Sequence, residues 1–344
     1  MSDLSEIAPL AGEKKQKAEP RAFSPDEMIT CNECLRANAP TRNTCIYCAA
    51  ILQDDPEIGV AGDSAGAPSG ESDNKCSVIL LPGGNPDLSE SEIGEAASLA
   101  CLSKDYLAAC LSIGQPLPLA CGLTVESATR LTDRLQTLGL ETLAIAEEDL
   151  NGETFPRRVR GFKFYDDVLV SVSAGKREEL SFRWDELVLI VLGRLIVNRV
   201  ELEQPKSRRN KKPEERRELS SDDAVLDIFT KARDDGWRVM AGSFDFSCLG
   251  EKKNALAAEN IGLLAESLCE RAKHAQFDES YTRLRRALSV AWPVEPQQKT
   301  QTWRHAGVGK YSVTTTTIQN NEIQFTRYSR LRHYLRLREL RNKG

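Results

Sequence analysis

Histidine is scarce: the 344 residues hold three, His274, His305 and His333, and none stands in a ligand or acid–base motif. Nucleophile and cofactor signatures are missing too. There is no Gly-x-Ser-x-Gly elbow and no dinucleotide fingerprint. Gly307-Val-Gly-Lys310 approaches a phosphate loop, but Arg304 occupies the first glycine position and Tyr311 the Ser/Thr position. The acidic pairs Asp166/Asp167 and Asp234/Asp235 read as turn residues, and Cys248 has no base beside it in sequence. These absences argue against catalysis. Long apolar runs are lacking as well. The best candidate, 187–200, is broken by Arg194, Asn198 and Arg199, short of the roughly 18 apolar residues a spanning helix needs. The N-terminal stretch is polar, without the apolar run of a secretory signal, so a cytoplasmic protein is expected.

What is present is ordinary globular material, 40% hydrophobic and 28% charged. Its charge is uneven: residues 1–75 sum to −6, 76–150 to −8 and 151–344 to +9. Of the ten cysteines, four form the pattern Cys31-Asn-Glu-Cys34, ten residues, Cys45-Ile-Tyr-Cys48. Two residues between cysteines let both thiolates of a pair face one ion at about 2.3 Å, and two such pairs complete a tetrahedron. With no histidine near, the site would be all-cysteine and closed, hence structural. Zinc is the expected metal, although iron can use the same ligands. So short a module has little core, and metal binding would supply most of its folding energy. The other six cysteines, Cys76, Cys101, Cys110, Cys121, Cys248 and Cys269, read as buried reduced thiols.

Residues 31–51 resemble the short zinc ribbons common in bacterial proteins. The spacing also resembles the Ran-binding-protein type of zinc finger, whose members can bind single-stranded RNA or ubiquitin. Asn38 stands where that finger usually has Asn, and Ile29 where it usually has Trp.

Around this module the chain reads as a multi-domain α+β protein. Residues 1–27 lack periodicity and are expected to be disordered, 28–51 form the zinc ribbon, and 52–75, with six acidic residues and one lysine, an acidic linker. Residues 76–150 predict the order β-α-α-β-α-β. Thr124 caps the clearest helix, an apolar stripe at steps of three and four follows, and Gly139 ends it. Leu119-Ala-Cys-Gly-Leu-Thr-Val-Glu-Ser-Ala128 and Leu135-Gln-Thr-Leu-Gly-Leu140 resemble the C-terminal domain of the bacterial ribosomal stalk protein, a fold shared with the ClpS adaptor. That resemblance implies a protein-docking domain. The stalk domain docks translation factors through lysines on its first two helices. Residues 90–115 offer only Lys104, so the resemblance implies the fold without the ribosomal role.

Residues 157–275 predict strands at 159–165, 168–173, 180–184, 187–192, 197–202, 225–230 and 237–246, then a helix over 254–275. Seven strands followed by a helix look like a pleckstrin-homology-type barrel. A polar insertion, 204–221, carries seven basic residues against three acidic, and its basic part, 206–217, reads as a solvated loop. Lys206, Arg208, Arg209, Lys211 and Lys212 within it are candidate phosphate contacts. In the C-terminal region, 276–344, a helix is predicted over 278–288, capped by Asp278. A hairpin is predicted from 311–319 and 322–328 about Asn320-Asn321. The basic tail, 327–343, reads as an amphipathic helix. Its Arg330, Arg332 and Arg336 could meet nucleic acid, or the helix could pack on its own domain. The sequence thus favours a non-catalytic zinc-binding adaptor with protein partners. A nucleic-acid- or ribosome-associated protein stands second and an unrecognised enzyme third. An anionic membrane surface is the least favoured partner.

Overall fold

The computed structural model describes residues 29–30, 37–38, 75–84, 88–151, 156–173, 179–206, 215–232, 236–304 and 311–343. Contacts divide the chain into two units, Met1–Asp63 and Ser64–Gly344. In the first, β1 (Ile29–Thr30) pairs antiparallel with β2 (Ala37–Asn38), Ile29 opposite Asn38 and Thr30 opposite Ala37. The second unit is mixed α+β. Among the described residues, no single helix is long and apolar enough to cross a membrane.

The second unit begins with β3 (Lys75–Leu80), α1 (Glu90–Leu99), α2 (Lys104–Ile113), β4 (Leu117–Thr124), α3 (Val125–Thr137), β5 (Thr142–Ala146) and a short α4 (Glu147–Asn151). Up to β5 this is the order read from the sequence. β3 lies in the middle of a three-stranded antiparallel sheet, β4-β3-β5, and its residues 76–80 are buried without alternation, so both of its faces are covered. The helix ends follow their capping chemistry. Ser89 and Glu92 close a reciprocal box on α1, and the Thr124 hydroxyl accepts from the Ser127 amide at the start of α3. Gly139, at φ 88°, takes the left-handed position after α3, where the Leu140 amide donates back to the Leu135 carbonyl. After α1 the equivalent position is filled by Cys101, at φ 54°.

The large sheet uses β6 (Arg157–Phe164), β7 (Val168–Ser173), β8 (Glu179–Arg183), β9 (Leu187–Lys206), β10 (Glu215–Thr230), β11 (Gly236–Met240), β12 (Gln276–Asp278), β13 (Pro296–Arg304) and β14 (Tyr311–Asn320). Its order is β13-β14-β9-β10-β11-β6-β7-β8, with β12 beside β9. Most neighbours are antiparallel. β11 with β6 and β12 with β9 are parallel. The strands read separately at 187–192 and 197–202 are one strand of 20 residues. Of the polar insertion 204–221, residues 204–206 and 215–221 are strand, with Glu215 paired to Glu203 and Ser221 to Val197, so the segment read as a loop, 206–217, is strand at both ends, and 207–214 lie outside the described residues.

Alternation along β9 and β10 sends side chains to two cores. Leu189, Val191, Leu195, Val225 and Phe229 face one, and Ile190, Leu226 and Ile228 face the other. The second core also holds Val159, Phe162, Trp184 and Trp237, covered by Ile261, Leu264 and Leu268 of α5 (Ala257–Arg271). The first is continuous with the core of the β3–β5 sheet and takes in α6 (Tyr281–Ala291) and α7 (Glu322–Lys343). One apolar interior therefore runs from β3 to the C-terminal helix.

α7 corrects two expectations. Residues 322–328 are helix, not the second strand of a hairpin; the hairpin is β13–β14. Asn320 accepts from the Glu322 amide through Oδ1. The Asn321 side chain takes over the ladder to β9, accepting from Ile196 N at 2.7 Å and donating to Arg194 O at 3.0 Å. The strand pairing thus ends on a side chain, which frees the backbone to turn into a helix. Nor is α7 amphipathic over its first half: the polar Gln324, Thr326, Ser329, Arg330 and His333 are buried along with Phe325, Tyr328 and Leu331, while the apolar Ile323 is exposed. Gly193 of β9 lies against Phe325 of α7, and a Cβ there would run into the ring. Asp278, read as the cap of α6, closes β12 and points inward; it accepts from the Ser280 amide, one residue before the helix.

Beyond the cores, β13, β14, β9 and β10 continue as a four-stranded arm. Residues 216–222 of β10 and 296–300 of β13 are all exposed, and 314–318 of β14 are all intermediate. Neighbouring strand residues point to opposite faces, so both faces of the arm meet water.

Candidate functional site

A set of buried ionisable groups lies under α7, where the helix crosses β10 and β11. Asp227 stands in the apolar run Val225-Leu-Asp-Ile-Phe229, directly opposite Arg238 on β11. Side-chain exposure is 0% and 1% for the pair. The guanidinium forks onto the carboxylate, Nε to Oδ1 and Nη2 to Oδ2, both at 2.8 Å. Nη2 also donates to Thr326 Oγ1 at 3.0 Å and Nη1 to Glu322 Oε1 at 3.1 Å. Arg158 of β6 reaches the same Glu322 oxygen at 2.9 Å, and Ser329 donates to Asp227 Oδ2 at 2.7 Å. The Phe325 ring lies 5.1 Å from the guanidinium carbon. Burial works to lower the pKa of Arg238, but Asp227 and Glu322 outweigh it and raise it. Burial also works against the Glu322 carboxylate, and Arg158 and Arg238 more than offset it, holding its pKa below the usual carboxylate range.

Two further clusters fix the helix. Asp278 binds Arg332 Nε at 2.6 Å and accepts from the Tyr328 hydroxyl at 2.8 Å. His333 sits with Nε2 2.8 Å from the Thr230 carbonyl, which makes that nitrogen the N–H, and stacks on Phe229 at 4.5 Å. Chemically these groups form a closed electrostatic clamp. Each charge faces its counter-charge, and the chain's own hydrogen bonds occupy the carboxylates.

The cysteines Cys31, Cys34, Cys45 and Cys48 lie outside the described residues; β1 and β2 flank positions 31–36. Among the described residues, no group of three or more His, Cys, Asp or Glu is placed to hold a metal. Lys206 ends β9, while Arg208, Arg209, Lys211 and Lys212 fall outside the description. Register brings Lys206 opposite Tyr311, so the connections 207–214 and 305–310 leave the same end of the arm. The three arginines of the tail are placed elsewhere. Arg330 is 9% exposed, Arg332 is bound to Asp278, and Arg336 donates to the His274 carbonyl and to Glu339. The groove of about 430 Å³ lined by Arg332, Arg336 and Glu339 is therefore walled by groups already engaged with the protein. Of the remaining cysteines, Cys76 and Cys110 are buried, whereas Cys101 and Cys121 are exposed, which corrects the expectation of burial for both. Burial pushes the Cys248 thiol up to about 11, so it carries its proton at neutral pH.

The clamp was missed in sequence, although it leaves a signal. A lone Asp inside Val225–Phe229 and a lone Arg between Trp237 and Val239 are charges in apolar strands, and such charges are kept only when paired.

Comparison with family models, with curated proteins and with solved structures finds no match for the chain.

Proposed function

We propose that the protein is a non-catalytic, zinc-binding adaptor that engages protein partners through separate modules. The observation that carries the adaptor reading is the arm. Seven successive residues of β10, 216–222, are exposed, so this stretch of sheet contributes nothing to either core and presents two faces to a partner. The ribbon reading rests on the paired Cys-x-x-Cys spacing, with the β1–β2 pairing on either side of the first pair in support. Four thiolates would hold one Zn²⁺ in a closed structural site. In this reading residues 76–150 are a docking domain of the ribosomal-stalk and ClpS kind, supported by the element order. Residues 157–275 are of pleckstrin-homology type, supported by strands followed by a helix over the sheet.

The test is quantitative affinity capture from the native cell with three proteins: the natural chain, a Cys31→Ser/Cys34→Ser variant, and a Thr315→Arg/Leu219→Glu variant that alters the two arm faces. The adaptor reading expects a defined partner set, part lost with the ribbon and part with the arm. Capture unchanged by either variant contradicts it.

A second reading, a nucleic-acid-associated protein, is favoured by one observation. The arm sends two connections off one end, and the first carries Arg208, Arg209, Lys211 and Lys212 beside Lys206. Phosphate contacts release counterions, so such binding would weaken steeply with salt. Electrophoretic shifts on RNA and DNA at two salt concentrations decide it. Salt-sensitive binding lost on replacing these five residues by Gln supports this reading, and no binding at low salt ends it.

A further inference from the structure

The arm has two edges of different chemistry. On one side β10 is unpaired beyond Val225, because β11 reaches only from Val225 to Phe229. That free edge carries Glu215, Arg216, Arg217, Glu218, Asp222 and Asp223, the dense charge by which sheets discourage further pairing. On the other side β13 ends the sheet, and among the described residues no strand pairs with its outer edge. Its sequence is Pro-Gln-Gln-Lys-Thr-Gln-Thr-Trp-Arg, with Lys299 the only charge before the terminal Arg304. Residues 296–300 are exposed. A nine-residue edge without bulge or dense charge is a template for another strand.

We infer that this edge is a homodimer interface, in which β13 pairs antiparallel with β13 of a second copy about a two-fold axis at Thr300. The second copy is favoured over a foreign strand because the edge is complementary to itself. Thr300 is the middle residue of Pro296–Arg304, so centring there gives the longest overlap. In that register Lys299 faces Gln301 of the other copy, Gln298 faces Thr302, and Pro296 faces Arg304. No like charges stand opposite, and the two Lys299 side chains are diagonal neighbours about 7–8 Å apart. The same operation on the β10 edge, centred on Leu219, would set Arg217 against Ser221 and Arg216 against Asp222, and would lay the core-covered strand beyond Asp223 against the partner's arm tip. The two four-stranded arms would become one eight-stranded sheet, a geometry independent of whether the arm faces hold a further partner.

Sedimentation equilibrium of the full chain tests the inference. The natural protein should sediment at twice its 38.2 kDa mass. A Gln298→Lys/Thr300→Lys variant, altered only at exposed positions, should sediment at that mass once with unchanged thermal unfolding. In a parallel arm, Thr300→Cys should oxidise to a covalent dimer, while Ser220→Cys on the other edge should not. A monomeric natural protein overturns the proposal. So does a dimer that survives the lysine substitutions, or equal cross-linking at the two edges.

Discussion

Arg238 shows what a single buried charge does in this molecule. Four of its N–H groups meet a carboxylate fork, a second carboxylate and a hydroxyl, so its desolvation is offset by contacts that lock two strands to one helix. Removing one partner would leave the other charged and unmatched. Arg238→Ala should therefore destabilise the second unit by about 3–5 kcal/mol in chemical denaturation; a loss under 1 kcal/mol would mean that the clamp contributes little. Glu322 adds a pH signature. Its folded pKa is lowered by Arg158 and Arg238 against the opposing effect of burial, so its stabilisation is complete above the ordinary carboxylate range. That stabilisation is lost as pH falls through the range to the folded value. Unfolding curves of the natural chain and Glu322→Gln should differ most near neutrality and converge on acidification. A constant gap from pH 7 to pH 3 would refute this. Two backbone positions give opposite results. Cys101 occupies a left-handed helix cap that glycine fills without steric strain, so Cys101→Gly should raise stability by about 1 kcal/mol. Gly193 admits the Phe325 ring, so Gly193→Ala should cost about 1–3 kcal/mol through overpacking.

At the scale of elements, helix ends in the first half were legible because caps are local chemistry. Thr124 and Gly139 bound α3 where a hydroxyl acceptor and a left-handed residue were read in the sequence. The strands of β6 to β8 were legible from β-branched and aromatic composition. The arm and α7 were not, for opposite reasons. With water on both sides of 216–222 there is no apolar alternation to mark a strand, so the sequence shows no more than a polar insertion there. Near its start α7 buries polar and apolar residues together while Ile323 is exposed, and Ile323, Phe325 and Tyr328 carry strand propensity; the helix is fixed instead by contacts distant in sequence, at Gly193, Asp227 and Asp278. Asn320-Asn321 suits a turn or a helix start equally, and only the β9 groups that Asn321 satisfies decide between them. This gives the tail arginines different roles. Arg332→Ala should lower stability, because Asp278 is left without its cation at 2% exposure. By contrast, Arg208→Ala should leave thermal unfolding unchanged and act only on binding.

At the scale of the whole molecule, the proposed function assigns a metal-held ribbon to Met1–Asp63, and partner surfaces on the faces, edge and end of the polar sheet arm to Ser64–Gly344. The buried ionisable groups under α7 serve packing. The metal is the claim on which the ribbon stands, and the metal content of the purified chain tests it most directly. The account predicts one zinc per chain, lost when Cys31, Cys34, Cys45 and Cys48 are all replaced by Ser. Protein free of bound metal, or zinc retained after the fourfold replacement, would contradict it.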